Sequence, residues 1–252
     1  MIHLPLSKIE IQNPNFYCDF GQPQNLKKRK KRKFKRIYWL LIDLAIMAIV
    51  IFLLLYKPAR YNPLAPSSAG LQRDQVHPYL THDLSTQLYN GLQSGRPFDF
   101  VVMQKPLNDV IAFSGWPKQA EGTHFSAPEV FFEPGRIVLM GTATTGGVDF
   151  VVTIAVEPTL STQGLLNLKV TTVKVGALNI TPLARLIARK MYTERMSAVY
   201  VDTAAASAQI AASLLNEKPF VPIFPFEGKK VRLEKITIEQ QKLTVHLKQI
   251  QH

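Results

Sequence analysis

The spacing of apolar positions changes along this chain, and each change predicts a different element. Residues 37–56 form an apolar run of twenty positions broken only by Asp43. At ~1.5 Å rise per residue, a helix of this length spans the ~30 Å hydrocarbon core of a bilayer. Over residues 75–94, Val76, Leu80, Leu84, Leu88 and Leu92 recur at every fourth position, one face of an amphipathic helix ending near Gly95. A short strand over 98–103 follows. Next comes a short helix over 105–113, with Pro106 in its first turn and Leu107, Val110 and Ile111 on one side.

The middle of the chain turns to a period of two. Val148, Phe150, Val152, Ile154 and Val156 alternate with Asp149, Val151, Thr153, Ala155 and Glu157. Glu133-Pro134-Gly135 predicts a turn between strands over 127–132 and 136–144. Gly146-Gly147 predicts a tight hairpin with positive φ, and Ser161 to Gly164 a turn into a strand over 165–175. Strands of roughly nine to eleven residues are long against the usual ~5–6. Joined by tight turns, they predict a large, twisted, curved sheet with one buried face.

Two helices should follow. One opens at Thr181-Pro182 and carries a stripe of Leu183, Leu186, Ile187 and Met191; the other is Ala-rich, over 203–216. Phe220, Phe224 and Phe226 are interleaved with Pro219, Pro222 and Pro225, which bars this segment from a central strand and predicts rigid apolar cover across a sheet edge. A final hairpin pairs 231–239 with 242–250. Val231 and Leu233 share a face with Ile236 and Ile238 only if a bulge falls near Glu234-Lys235. The expected class is α+β: a single N-terminal transmembrane helix, then a domain with a long-stranded, curved antiparallel sheet packed on amphipathic helices. The boundaries are 1–36 for a basic, disordered tail, 37–56 for the span, 57–73 for a Pro- and Ser-rich linker, and 74–252 for the domain.

Charge adds an orientation. Lys27, Lys28, Arg29, Lys30, Lys31, Arg32, Lys33, Lys35 and Arg36 abut the apolar run and hold most of the formal charge of +12. Such a block marks the cytoplasmic end of a span, and its attraction to anionic lipid headgroups is worth ~1 kcal/mol per residue. That placement removes the reading of the net charge as a nucleic-acid signature. The expected location is the inner (cytoplasmic) membrane, with the N-terminus cytoplasmic and the domain extracytoplasmic, on the periplasmic side. A cleaved signal peptide has an apolar core of ~7–15 residues ending in small residues, whereas this run begins at residue 37 and ends Leu53-Leu54-Leu55-Tyr56. Asp43, inside the span, must be protonated, drawn toward the headgroups, or paired with another membrane protein. Cys18 is the only cysteine, so the domain is held by its core and not by disulfides.

Catalytic patterns are missing from the sequence. It holds no G-x-S-x-G, P-loop, H-E-x-x-H, cysteine pair or dinucleotide fingerprint. His77 and His82 are five apart, ~140° around a helix, and do not form a two-ligand face. Glu129, Glu133, Asp149 and Glu157 fall near strand ends or on polar faces, where solvated carboxylates are the ordinary expectation. No enzyme activity, metal or cofactor is expected.

Apolar surface remains. Val148, Phe150, Val152 and Ile154, with Leu166 and Leu168 on the next strand, make a wide face. Helices such as the one bearing Leu186 and Ile187 must cover it, or a lipid-like ligand, or a partner. Asp43, Phe220, Phe224 and Phe226 are the candidate contacts for an envelope-protein partner. The order of anchor, strand Phe98-Asp99-Phe100-Val101-Val102, helix Lys105-Pro106-Leu107-Asn108-Asp109-Val110-Ile111, long hairpin strands and a helix pair at Pro182-Leu183 resembles the membrane-anchored proteins of the YpmS type. It is also similar in outline to small bacterial lipoproteins built like half of a tubular lipid-binding module. The resemblance covers residues 98–195, and the Pro-rich segment at 219–226 departs from it. It implies a curved sheet around a helix with an interior suited to an acyl chain, and carries over no functional residue. The expected function is non-catalytic binding of a lipid or other apolar ligand at the membrane surface, with a scaffold module of an envelope complex as the alternative.

Overall fold

The computed structural model describes residues 26–62, 76–120, 122–198 and 206–250. Helix α1, Leu26–Leu54, has 29 residues, and its stretch Lys35–Leu54 is long and apolar enough to cross a membrane. Asp43 is exposed on it. The basic run expected in a disordered tail belongs to this helix from Lys27 onward. No Gly or Pro interrupts residues 26–54, and Lys and Arg are good helix formers. The rest of that tail, and residues 63–73 of the expected linker, lie outside the described residues.

From Ala48 onward the chain forms a compact α+β unit. A π-helical turn, Tyr79–Leu84, runs into α2, Ser85–Gln93. The wider turn shifts the predicted helical face: Tyr79, five residues before Leu84, is buried, and Val76 is exposed. The remaining elements are β1 Phe98–Met103, α3 Gln104–Phe113, β2 Lys118–Ala120, β3 Thr123–Phe125, β4 Glu129–Glu133, β5 Arg136–Thr145, β6 Val148–Leu160, β7 Leu166–Val175, β8 Leu178–Asn179, α4 Thr181–Ala198, α5 Ala206–Asn216, β9 Ile223–Phe226, β10 Lys229–Glu239 and β11 Lys242–Ile250.

The strands form two antiparallel sheets where the sequence predicted one. The first has the order β1-β11-β10-β9, and the second follows β2-β3-β5-β6-β7-β8, with β4 also on β5. The split arises because β1 pairs with the C-terminal strand, Phe98 opposite Leu247, a partner no local pattern specifies. In the β10–β11 pair the register shifts between Leu233 and Lys235, so Leu233 and Ile236 face the same way, opposite Leu247 and Val245. This face packs on Leu88 and Leu92 of α2, Leu107 and Ile111 of α3, and Ile137 and Leu139 of β5.

Helix side chains close the exposed rows of backbone groups at the sheet edges. Along β1, the amide of Val101 donates to Gln87 Oε1 at 3.0 Å and that of Met103 to Tyr79 Oη at 2.9 Å. Along β4, Asn108 accepts from the Val130 amide at 2.8 Å and donates to its carbonyl at 2.9 Å, while Gln104 accepts from Phe132 at 2.8 Å. Along β7, Thr181 Oγ1 and Ser213 Oγ accept from Val173 and Leu168, both at 2.8 Å, and Arg185 donates to the Val170 carbonyl at 2.8 Å. Asn108, Thr181 and Ser213 are buried polar residues, and these bonds are why burial is tolerated.

Candidate functional site

Successive side chains on β5 and β6 point to opposite faces, and the two faces are covered differently. On one, Val138, Met140, Val151 and Ala155 form a buried cluster with Tyr61. The Tyr61 hydroxyl lies 3.2 Å from Ser126 Oγ and 3.0 Å from Thr142 Oγ1. The segment carrying Tyr61, expected as the start of a linker, is therefore held on the sheet. The Ala177 amide donates to the carbonyl of Leu53 at 2.8 Å, satisfying a backbone acceptor at the end of α1. Gly176, beside it, has φ +59, and a Cβ there would come within 2.3 Å of the Leu53 carbonyl oxygen. Farther along, Lys57 lies 3.7 Å from Asp149, and Arg60 pairs with Glu133 and stands 5.5 Å over the Phe131 ring.

Three of the four candidate carboxylates, Glu129, Glu133 and Asp149, belong to this contact, whereas Glu157 lies opposite Lys169 of β7. Burial pushes the Glu129 carboxyl up from its ordinary value, opposed in part by a hydrogen bond from the Asn62 backbone. Burial also raises Glu133, but the hydrogen bonds and charges of Arg136 and Arg60 outweigh it and hold the group below its ordinary range. Among the described residues, no group of three or more His, Cys, Asp or Glu side chains is placed to hold a metal ion.

The opposite face of β5–β6 is open at one end. Its cover by the first sheet and α3 reaches Leu139. Beyond that, the floor on β5 is Gly141 and Ala143, too small to fill the space, with Val152 and Ile154 opposite on β6. A Cβ added at Gly141 would meet only Pro128, at 3.7 Å. The short β2–β3 hairpin pairs onto this end of β5, Phe125 opposite Ala143, and Trp116 and Phe125 complete an apolar groove of about 530 Å³. Lys118 is the one charged residue of its lining, and its ammonium sits 4.9 Å from the centre of the Trp116 ring.

No family model, curated protein or solved structure matches this chain.

The predicted apolar face is thus divided. Val152 and Ile154 line the groove, Phe150 is half-buried, and Val148, at 42% exposure, lies outside it. The positions read as the outer side of β6 include the most buried ones, Val151, Thr153 and Ala155, because Tyr61 and its neighbours cover them. Leu166 is buried and Leu168 half-buried. Leu186 and Ile187, expected to cover the sheet, are 68% and 49% exposed, since α4 meets β7 through Thr181 and Arg185.

The phenylalanines expected as partner contacts are turned toward the fold's own core. Phe220 is buried and bridged to Leu166, and Phe224 and Phe226 pack on the cluster of Leu92, Val231, Leu233 and Leu247. Rigid Pro-spaced chain turns these rings inward, and the segment ends in β9 at the edge of the first sheet. Sequence reasoning missed Trp116, Lys118 and Phe125: strands of three residues with a wholly exposed β2 show no alternation. The available signal was Gly122, at φ +76, between two short polar-aromatic stretches.

Proposed function

We propose that this chain is a single-pass membrane protein with a cytoplasmic N-terminus, and that its extracytoplasmic domain binds the acyl portion of a lipid-like amphiphile in the groove lined by the β2–β3 hairpin and the β5–β6 strands, without catalysis. The observation carrying this reading is the 530 Å³ groove with apolar walls and one ammonium at its edge. Small-molecule sites commonly enclose ~300–1,000 Å³ and combine apolar walls with few polar groups. Trp116, Phe125, Val152 and Ile154 would contact the chain of the ligand, and Lys118 would favour an anionic headgroup. The length of Lys35–Leu54 and the basic block preceding residue 37 support the placement in the membrane.

The two tryptophans are Trp39 and Trp116, so Trp39→Phe leaves the groove residue as the sole indole reporter. Titration of that variant, reconstituted in vesicles, with a brominated fatty acid should give saturable quenching of Trp116. Ile154→Asp and the groove-filling Gly141→Leu should each remove the saturable phase, with thermal melts confirming that both variants fold. Quenching that rises linearly and equally in all three proteins would rule the groove out as a lipid site.

A further inference from the structure

We infer that α4 lies in the headgroup layer of the bilayer that α1 crosses, with Leu183, Leu186 and Ile187 inserted among the lipids; this rests on the membrane reading above. An amphipathic helix ordinarily turns its apolar stripe toward the core. Here Leu183, Leu186 and Ile187 are 55%, 68% and 49% exposed, although their spacing puts them on one side. The rotation of the helix is fixed: Thr181 Oγ1 accepts from the Val173 amide and Arg185 donates to the Val170 carbonyl, each at 2.8 Å. With those polar groups directed at β7, the leucines have to point outward.

Position in the fold supplies the occupant. The Ala177 amide is bonded to the Leu53 carbonyl in the last turn of α1, and α4 begins four residues later at Thr181. Four residues reach at most ~14 Å, so α4 starts beside the point where α1 ends. Besides Arg185, which faces β7, residues 181–198 hold Arg189, Lys190 and Arg195 against a single acidic residue, Glu194. Apolar stripe, basic remainder and adjacency to a span are the features of a helix lying in the interface plane, with its apolar side ~5–10 Å into the headgroup and acyl boundary.

The test uses the full chain in phosphatidylcholine–phosphatidylglycerol vesicles. In a Cys18→Ser background, an environment-sensitive fluorophore is attached at Val50→Cys, Leu186→Cys or Gln163→Cys. Gln163 is exposed in the turn before β7, at the end of that strand away from Gly176. The expected result is quenching of Val50 by deeply spin-labelled lipid, of Leu186 by lipid labelled near the headgroup, and of Gln163 by neither. A water-like, unquenched signal at Leu186 with a buried Val50 overturns this inference and leaves the span intact. A blue-shifted Leu186 signal that lipid quenchers do not reach also overturns it, because a protein surface then covers the stripe. A water-like signal at Val50 overturns the membrane reading itself.

Discussion

Glu129 and Glu133 share a face of β4, yet their carboxyls depart in opposite directions from the ordinary value of 4.5. Folded Glu129 holds its proton more tightly than the unfolded chain does, so its contribution to stability falls as pH rises from 4.5 through the raised value. Glu129→Gln should therefore raise the melting temperature near neutrality and leave it unchanged in acid. Glu133 has the reverse sign: its contribution is present above 4.5 and is lost as pH falls through the lowered value. Glu133→Gln should lower the neutral melting temperature and flatten acid unfolding, both read from thermal melts across the acid-to-neutral range. Asn108 is the more sensitive position, because Asn108→Leu leaves the buried amide and carbonyl of Val130 without partners. A loss of ~2–4 kcal/mol follows from two unpaired backbone groups, measurable by urea denaturation; a change within error would mean that the chain re-pairs them. In the sequence Asn108 stood out only within the stretch that carries the family resemblance, with no role attached, and its role exists only once β4 lies beside α3.

At the scale of elements, helix side chains close the edges of β1, β4 and β7: carboxamides from α2 and α3, the Tyr79 hydroxyl from the π-helical turn, and hydroxyls and a guanidinium from α4 and α5. An open edge is a template for pairing with another chain, and here the blocking groups sit on helices that the edge itself helps to position. The long hairpins and the Glu234 bulge were legible beforehand because turn chemistry and alternation are local, whereas the three-residue strands β2 and β3 show neither. Which face of β6 would be buried was not, since that depends on Tyr61, some ninety residues earlier in the chain. Strand pairing between β1 and β11 was hidden for the same reason. The joint at Gly176 makes an element-scale prediction. A valine there must enter the left-handed region and also displace the Leu53 carbonyl. Gly176→Val should release the end of α1 from the β7–β8 turn, and trypsin should then cleave after Arg60 much faster than in the parent protein. Equal cleavage rates would mean that Arg60 and Tyr61 hold the segment unaided.

At the scale of the molecule, the domain begins earlier than its regular elements suggest. A chain starting at residue 71 lacks Tyr61 and its contacts with Val138, Met140, Val151 and Ala155. Removing a large buried aromatic costs ~3–5 kcal/mol, so that chain should unfold at distinctly lower urea than one starting at Ala48. Matching midpoints would show that the contact adds nothing to stability. The groove was legible only in part: Val152 and Ile154 were visible as apolar alternation, whereas the small floor at Gly141 and Ala143 acquires meaning only with Trp116 and Phe125 beside it. The contact between the end of α1 and the β7–β8 turn has a mechanical side as well. From Leu53 to Asn62 the chain is tied down in turn by Ala177, Asp149, Glu133, Ser126 and Glu129. A pull or twist applied to the last turn of α1 is therefore passed to the β7–β8 turn through Ala177 and, farther along the segment, to β6 through Asp149.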